Sequence, residues 1–143
     1  MKSVQDILSS KGHDVWSVRP DDTVLESLKV MADKGVGALL VMEGEKLIGI
    51  VTERDYARKV ILEGKSSQKA TVSEIMTSQV LCVSPSQTVD ECMALMTDKR
   101  ARHLPVLDGQ KVVGVLSIGD LVKATINEQQ VLIDHLQHYI SGY

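Results

Sequence analysis

Two short sets of residues combine a hydroxyl group with a carboxylate three positions further along the chain. Thr52 and Asp55 form the first set, Ser117 and Asp120 form the second, and each set follows an apolar run. This order is typical of a buried strand that ends at the N-terminus of a helix, where backbone N–H groups can hold an anionic ligand. The same spacing is that of a capping box, which only satisfies the helix end. Taken alone, either motif is compatible with both interpretations.

The two sets belong to a longer pattern that occurs at residues 49–55 and 114–120. Both copies read Gly, two apolar residues, Thr or Ser, any two residues and Asp. Moving the sequence along itself by 65 positions aligns residues 14–55 with 79–120 without a gap. Strands this short bury little surface in one unit, so we expect the two copies to share one core. The first-copy residues that are identical in the second copy are Val15, Val18, Pro20, Thr23, Val24, Glu26, Met31, Asp33, Lys34, Leu39, Val41, Gly44, Lys46, Gly49 and Asp55.

The spacing of apolar residues predicts the order strand, helix, strand, strand, helix in each copy. The expected fold is α/β (α+β): two pseudo-symmetric β-α-β-β-α repeats packed into one module, plus a C-terminal amphipathic helix. The repeats are expected at residues 4–64 and 72–126, with a linker at 65–71 and a helical tail at 127–143. Short helical turns are predicted at 4–8 and 72–76, strands at 15–18, 37–42, 47–51, 80–83, 103–107 and 111–116, and helices starting near 23, 52, 88 and 120.

Composition limits the classes of partner. A net charge of −3 and a pI near 5.8 provide no electrostatic footprint for nucleic acid or an anionic membrane. The first residues lack the apolar core of a signal peptide and the apolar runs are too short to span a bilayer, so we expect a cytoplasmic protein. Cys82 and Cys92 lie in no metal or redox spacing and are predicted to be small packing residues.

Several motifs in order carry a resemblance to a known family. They are the tandem repeat, a helix that begins Asp-Asp-Thr-Val or Ser-Gln-Thr-Val after a proline, the segment Arg102-His103-Leu104-Pro105-Val106, and the closing Gly-x-x-Thr/Ser-x-x-Asp. Together they resemble a pair of cystathionine β-synthase (CBS) domains, a Bateman module. The resemblance covers about residues 4 to 126, and stand-alone bacterial members of the family are similar throughout.

The resemblance implies a regulatory module that senses adenosyl ligands in two clefts between the repeats. The ligands it implies are AMP, ADP, ATP, NAD(H) and S-adenosylmethionine, with no other cofactor. Asp55 and Asp120 would bind the ribose hydroxyls, and Thr52 and Ser117 the ribose or the α-phosphate. A carboxylate can accept from two adjacent hydroxyl groups at once, which suits this role. The adenine would lie against Ser17, Val18 and Ile50 in one repeat or Cys82, Val83 and Val115 in the other.

The repeats differ where the family contacts phosphate. Arg102 and His103 are basic, whereas the aligned residues of the first repeat are Gly37 and Ala38. In similar pairs this position reaches the ligand held by the other repeat, so we expect the basic residues to meet a phosphate at Thr52 and Asp55. The second motif is expected to lack basic help at this position, and therefore to prefer a neutral or small group or to stay empty. Arg54 could also contact phosphate, or form a solvated surface.

No residue set in the sequence supports an enzyme. It contains no Ser/His/Asp or Cys/His arrangement with a supporting acid, no P-loop and no metal cluster. The leading hypothesis is therefore a non-catalytic regulatory module whose regulated protein is unknown, and the alternative is a structural oligomerisation module. A homodimer is expected from the resemblance and from the apolar stripe of the tail, formed by Leu132, Ile133, Leu136, Tyr139 and Ile140.

Overall fold

The computed structural model describes residues 2–141, so the last two residues of the predicted tail lie outside the described part. Six α-helices, one π-helical turn and five strands are found in this range, in mixed α+β order. The elements are α1 (Val4–Lys11), β1 (Ser17–Val18), α2 (Val24–Lys34), β2 (Ala38–Glu43), β3 (Lys46–Thr52), α3 (Glu53–Tyr56), the π-helical turn (Ala57–Ile61), α4 (Val72–Ile75), α5 (Val89–Lys99), β4 (His103–Asp108), β5 (Lys111–Ser117) and α6 (Ile118–Ser141).

Each repeat contains an antiparallel hairpin, β2–β3 in the first and β4–β5 in the second. In the first repeat β1 adds a parallel third strand next to β2. The predicted strand 80–83 is reduced to one parallel bridge between Val83 and Val106. The backbone N–H of Leu40 donates to the carbonyl of Trp16 at 3.1 Å, but Pro105 stands at the equivalent place and has no N–H to donate. One proline therefore shortens the second sheet.

The hydrophobic residues form two cores, and each core includes the short helix that precedes the other repeat. Helix α1 places Val4, Ile7 and Leu8 in the core of the second repeat. Helix α4 places Val72 and Ile75 in the core of the first. Matching backbone hydrogen bonds hold the exchanged helices, from Val4 N to the Gln87 carbonyl and from Val72 N to the Asp22 carbonyl, both at 2.8 Å. The exchange ties the repeats into one module.

Two predicted helices differ in extent from those observed. The helix after Thr52 is only one turn of α-helix, and it continues as a π-helical turn in which Leu62 N donates to the Ala57 carbonyl at 3.1 Å. The last helix is longer than expected, since α6 runs without a break into the predicted tail. Its first turns bury Leu121 and Ala124 in the second core. Among residues 2–141, no helix is both long enough and apolar enough to cross a membrane.

Candidate ligand-binding site

The first hydroxyl–carboxylate motif forms the N-terminus of α3. The carboxylate Oδ2 of Asp55 accepts from the backbone N–H of Thr52 at 2.9 Å and from its hydroxyl at 3.1 Å, and Asp55 N donates back to the Thr52 Oγ1 atom at 3.1 Å. The capping box is therefore present. The ammonium of Lys59 lies 3.3 Å from the other carboxylate oxygen of Asp55. Arg54, between the two motif residues, is exposed.

The second motif has the same local geometry at the start of α6. Ser117 N donates to Asp120 Oδ2 at 2.8 Å, and Asp120 N donates to Ser117 Oγ at 3.2 Å. The ammonium of Lys11, at the end of α1, approaches the same Asp120 oxygen at 2.7 Å and donates to the Val115 carbonyl at 2.8 Å. The second motif therefore has a basic neighbour, although the aligned residues 35–38 contain none. Lys11 lies outside the aligned repeats because it belongs to the exchanged helix.

The environment of Asp120 has opposing effects on its pKa. Burial raises the pKa, while the hydrogen bond from Lys11, the backbone N–H of Ser117 and the charge of Lys11 lower it. The lowering effects prevail, and the pKa of Asp120 lies below its ordinary value. Asp120 is therefore an anion at neutral pH, able to accept hydrogen bonds from a ligand's hydroxyl groups.

An open cavity of about 440 Å³ lies beside this motif and has walls from both repeats. Four of the lining residues were candidates from the sequence: Ile50, His103, Val115 and Ser117. Residues 35–38, which follow α2 and align with 100–103 of the second repeat, also line the cavity. The volume is in the range of small-ligand sites. The lining residues are Lys11, Asp14, Trp16, Gly35, Val36, Gly37, Ala38, Leu39, Leu40, Ile50, His103, Val115 and Ser117.

The other candidate residues lie elsewhere. Val18 and Val83 are core residues with 6% and 3% of their surface exposed. Ser17 is exposed, and Cys82 is half-buried next to the second core. Trp16 lines the cavity, and the Lys34 ammonium lies 4.5 Å from its ring centroid. An aromatic face here suits a flat base.

His103 and Arg102 differ in charge despite their shared sequence motif. His103 begins β4, where it pairs with Ser117, and is half-buried. Burial lowers the pKa of His103, Asp120 raises it, and Lys11 and Arg102 lower it further; the result is a pKa below the usual 6.5. At neutral pH the ring is therefore uncharged. Arg102 is exposed and permanently charged, so it alone provides a fixed positive charge in this motif.

The glycine that opens each heptapeptide is explained by packing. A Cβ on Gly114 would lie 2.6 Å from Leu8 Cδ2, and a Cβ on Gly49 would lie 2.6 Å from Met76 Sδ. Such distances are far shorter than carbon contacts normally allow. The glycines therefore admit the exchanged helical segments against the hairpins. Both glycines belong to the repeated motif, but their packing role depends on residues outside that motif and is not visible in the sequence pattern.

Within residues 2–141 there is no group of three or more His, Cys, Asp or Glu side chains placed to hold a metal ion.

The fold and cavity define a tandem-repeat module with a ligand-sized space between its halves, and comparison with known proteins identifies the family. The family model of the CBS domain matches twice, at residues 4–62 and 72–127. The chain belongs to the CBS-domain family and carries two copies of the domain.

Relatives of this chain span most of its length. It is 40% identical over 150 aligned positions to the mitochondrial CBS domain-containing protein CBSX3 of Arabidopsis thaliana, covering 98% of this chain and 72% of that protein. A CBS-domain protein of Burkholderia ambifaria MC40-6 assigned to signal transduction has a solved structure with 55% identity, a TM-score of 0.87 and coverage of 90% and 96% of the two chains.

A second similar structure contains ligands. The CBS domain pair of protein MJ0100, solved with 5′-methylthioadenosine and S-adenosylmethionine, is 25% identical to this chain with a TM-score of 0.80. The match covers 90% of this chain and 98% of that one.

Proposed function

We propose that this chain is a non-catalytic regulatory module that binds an adenosyl ligand between its two CBS repeats. The supporting observation is the cavity beside Ser117, whose walls come from both repeats. A ligand that contacts both halves binds one relative orientation more tightly than another, and so shifts the population of orientations. A regulated partner protein would read that shift.

The cavity offers separate surfaces for each part of an adenosyl ligand. Trp16, Ile50 and Val115 provide apolar contact for the base. Ser117 lines the cavity and Asp120 lies beside it; they offer a hydroxyl and an anionic carboxylate to the ribose, where a charge-assisted hydrogen bond contributes about 1.5 to 3 kcal/mol. Lys11 lines the cavity as well, but its charge is paired with Asp120, and the Asp14 carboxylate lines another part of the wall. This set therefore suits the adenosyl part that AMP, ATP, NAD(H) and S-adenosylmethionine have in common.

Pseudo-symmetry extends the proposal to the first motif. Gly37 lines the cavity of the second motif, and Arg102 is its counterpart in the repeat alignment. The same relationship would direct Arg102 toward a ligand held by Thr52 and Asp55. We propose this second, cross-repeat site as the one where Arg102 contacts phosphate.

Calorimetry with a ligand series tests the function directly. The wild-type chain should bind at least one of adenosine, AMP, ATP, NAD(H) and S-adenosylmethionine with micromolar or tighter affinity. Ala38→Phe should remove binding in the cavity, because Ala38 is a half-buried wall residue and a phenyl ring would fill the space. Ala32→Phe is the matched control, since Ala32 is exposed on α2.

The alternative, a structural oligomerisation module, predicts a different result. In that case none of the ligands would bind to either variant or to the wild type, even at millimolar concentration. Equal binding by Ala38→Phe and Ala32→Phe would place the ligand outside the cavity and contradict the proposed site. Product that accumulates with time would contradict the non-catalytic part of the proposal.

A further inference from the structure

The C-terminal part of α6 presents an apolar face that no other segment within residues 2–141 covers. After Ala124 no side chain of α6 up to residue 140 is buried. The exposed apolar residues on this face are Ile126 at 57%, Leu132 at 59%, Ile133 at 46%, Leu136 at 52%, Tyr139 at 84% and Ile140 at 82%, whereas Val131, at 56%, lies on the opposite side of the helix. Most helical stability in proteins comes from tertiary packing of an apolar face, so such a face requires a packing partner.

The pattern on this face is that of a coiled coil. Successive seam positions alternate between spacings of four and three residues, which is the a and d pattern of a heptad. The a positions hold Ile126, Ile133 and Ile140, and the d positions hold Val122, Gln129 and Leu136. Isoleucine at a with leucine at d favours two parallel strands over larger assemblies, and Leu136 provides leucine at one of the three d positions. We propose that a second copy of this chain covers the seam, forming a parallel two-stranded coiled coil between two α6 helices.

The single polar seam residue favours a second copy in parallel orientation. Equivalent residues meet each other in a parallel pair, so Gln129 would face Gln129 of the second copy. A carboxamide both donates and accepts, and two of them satisfy each other. An antiparallel pair sets a positions against d positions, which would place Gln129 against isoleucine and leave the amide unsatisfied. The sequence of the seam is therefore complementary to itself.

Charge and geometry also permit this pairing. The positions that flank the seam from Val122 to Ile140 are Lys123, Thr125, Gln130, Leu132, Gln137 and Tyr139, of which Lys123 is charged. In a parallel pair Lys123, at an e position, faces the g position of the second copy, which holds Ile118. Two copies can therefore approach without like-charge repulsion.

The seam and the docked face of α6 point in different directions. At 100° per residue, the seam lies roughly 130° around the helix from Leu121 and Ala124, which face the second core. Helix α6 can thus stay docked on its own module while the seam is paired.

The size of the seam indicates the strength of the dimer. The segment from Val122 to Ile140 is about 27 Å long. With roughly 60 to 120 Å² of apolar surface per buried aliphatic side chain, two copies would cover on the order of 1,000 Å². That value is near the lower limit for a specific interface. We expect a dimer that forms at micromolar concentration and dissociates on dilution.

Disulfide trapping tests both the partner and its orientation. In a Cys82→Ser background, Leu136→Cys places a thiol at a d position, where it meets its own counterpart in a parallel pair. Mild oxidation of the full chain should convert most of this variant to a covalent dimer. Val131→Cys is the matched control on the opposite side of α6, and it should stay monomeric on a denaturing gel. Cross-linking of Val131→Cys with none of Leu136→Cys would overturn the proposal.

A charge substitution tests whether the seam drives association. Ile133→Asp places a carboxylate in the seam and should reduce dimer formation in sedimentation experiments at least tenfold, whereas Val131→Asp should not. Thermal melting followed by circular dichroism shows whether each variant is folded. A chain that ends at Asn127 keeps the buried residues of α6, Leu121 and Ala124, but lacks most of the seam, so it should be monomeric. A wild-type monomer throughout the micromolar range, or a dimer unaffected by Ile133→Asp, would refute the coiled coil.

Discussion

The Lys11 ammonium and the Asp120 carboxylate lie 2.7 Å apart although 109 positions separate them in the chain. The contact exists because α1 packs in the core of the second repeat and ends next to the N-terminus of α6. The candidate site at the second motif is therefore built from the exchanged helix as well as from both hairpins.

Removal of the Lys11 charge should lower stability slightly. Lys11→Met loses the ion pair with Asp120 and the hydrogen bond to the Val115 carbonyl. The Lys11 side chain is 37% exposed, so solvent weakens the pair and the cost should be at most about 1 kcal/mol. Urea unfolding at neutral pH measures this difference, with Lys29→Met on the exposed face of α2 as the control.

The Lys11 effect should depend on pH with a defined sign. The pKa of Asp120 is lowered in the folded state, so its contribution is fully present above the unfolded value of about 3.9. The contribution is lost as the pH falls through the folded-state pKa. The stability difference between wild type and Lys11→Met should therefore shrink below about pH 4. A difference that grows on acidification would contradict the pairing with Asp120.

His103 should make the module less stable in mild acid. Burial lowers the pKa of His103, so the folded state prefers the neutral ring. The stability it contributes is present above about pH 6.5 and is lost as the pH falls through the folded-state value. His103→Gln should therefore flatten the fall in urea midpoint between about pH 7 and pH 5. His135→Gln, at an exposed position of α6, should leave the slope unchanged.

Arg102 should discriminate phosphorylated ligands from nucleosides. Arg102→Ala should weaken AMP at the first-motif site by roughly tenfold or more, the effect of losing one charge-assisted hydrogen bond, and leave adenosine nearly unchanged. Asp55→Ala should weaken both ligands because the ribose is common to them. Asp120→Ala should leave this site intact. If calorimetry instead finds that Asp120→Ala abolishes tight AMP binding and Asp55→Ala does not, Arg102 contacts a ligand held by its own repeat and the cross-repeat assignment is wrong.

The heptapeptide glycines should tolerate a methyl group poorly. Gly114→Ala forces its Cβ against the fully buried Leu8 and should cost about 1 to 3 kcal/mol through overpacking. Gly49→Ala should be destabilising too: Met76 is flexible and half-buried and can move aside, but the Thr77 carbonyl oxygen would lie 3.1 Å from the new Cβ and belongs to backbone bonded to Ile50. Gly119→Ala is the control: its Cβ would meet Ser117 Oγ at an ordinary 3.6 Å. Chemical denaturation ranks the three variants, and equal stability of Gly114→Ala and Gly119→Ala would refute the packing role.

The sequence by itself determined the repeats, the order of most elements and the hydroxyl–carboxylate motifs. These features depend on short stretches of chain. The cap of α2 by Thr23 and the capping box of Thr52 with Asp55 are closed by residues three positions apart. Hydrophobic periodicity is likewise a local signal. The shortened strand near Val83 has a local cause too, the proline in β4, but its effect appears only when two segments pair.

Only the tertiary structure decided which repeat each leading helix completes, and with it the composition of the site. The apolar spacing of Val4 and Leu8 predicts a helical turn, but either core could in principle accept such a turn. In the structure α1 packs in the second core, with Leu8 against Gly114, more than a hundred positions away. Lys11 reaches Asp120 because the same helix is seated there. Contacts at this separation depend on complementary surfaces, which local sequence patterns do not encode.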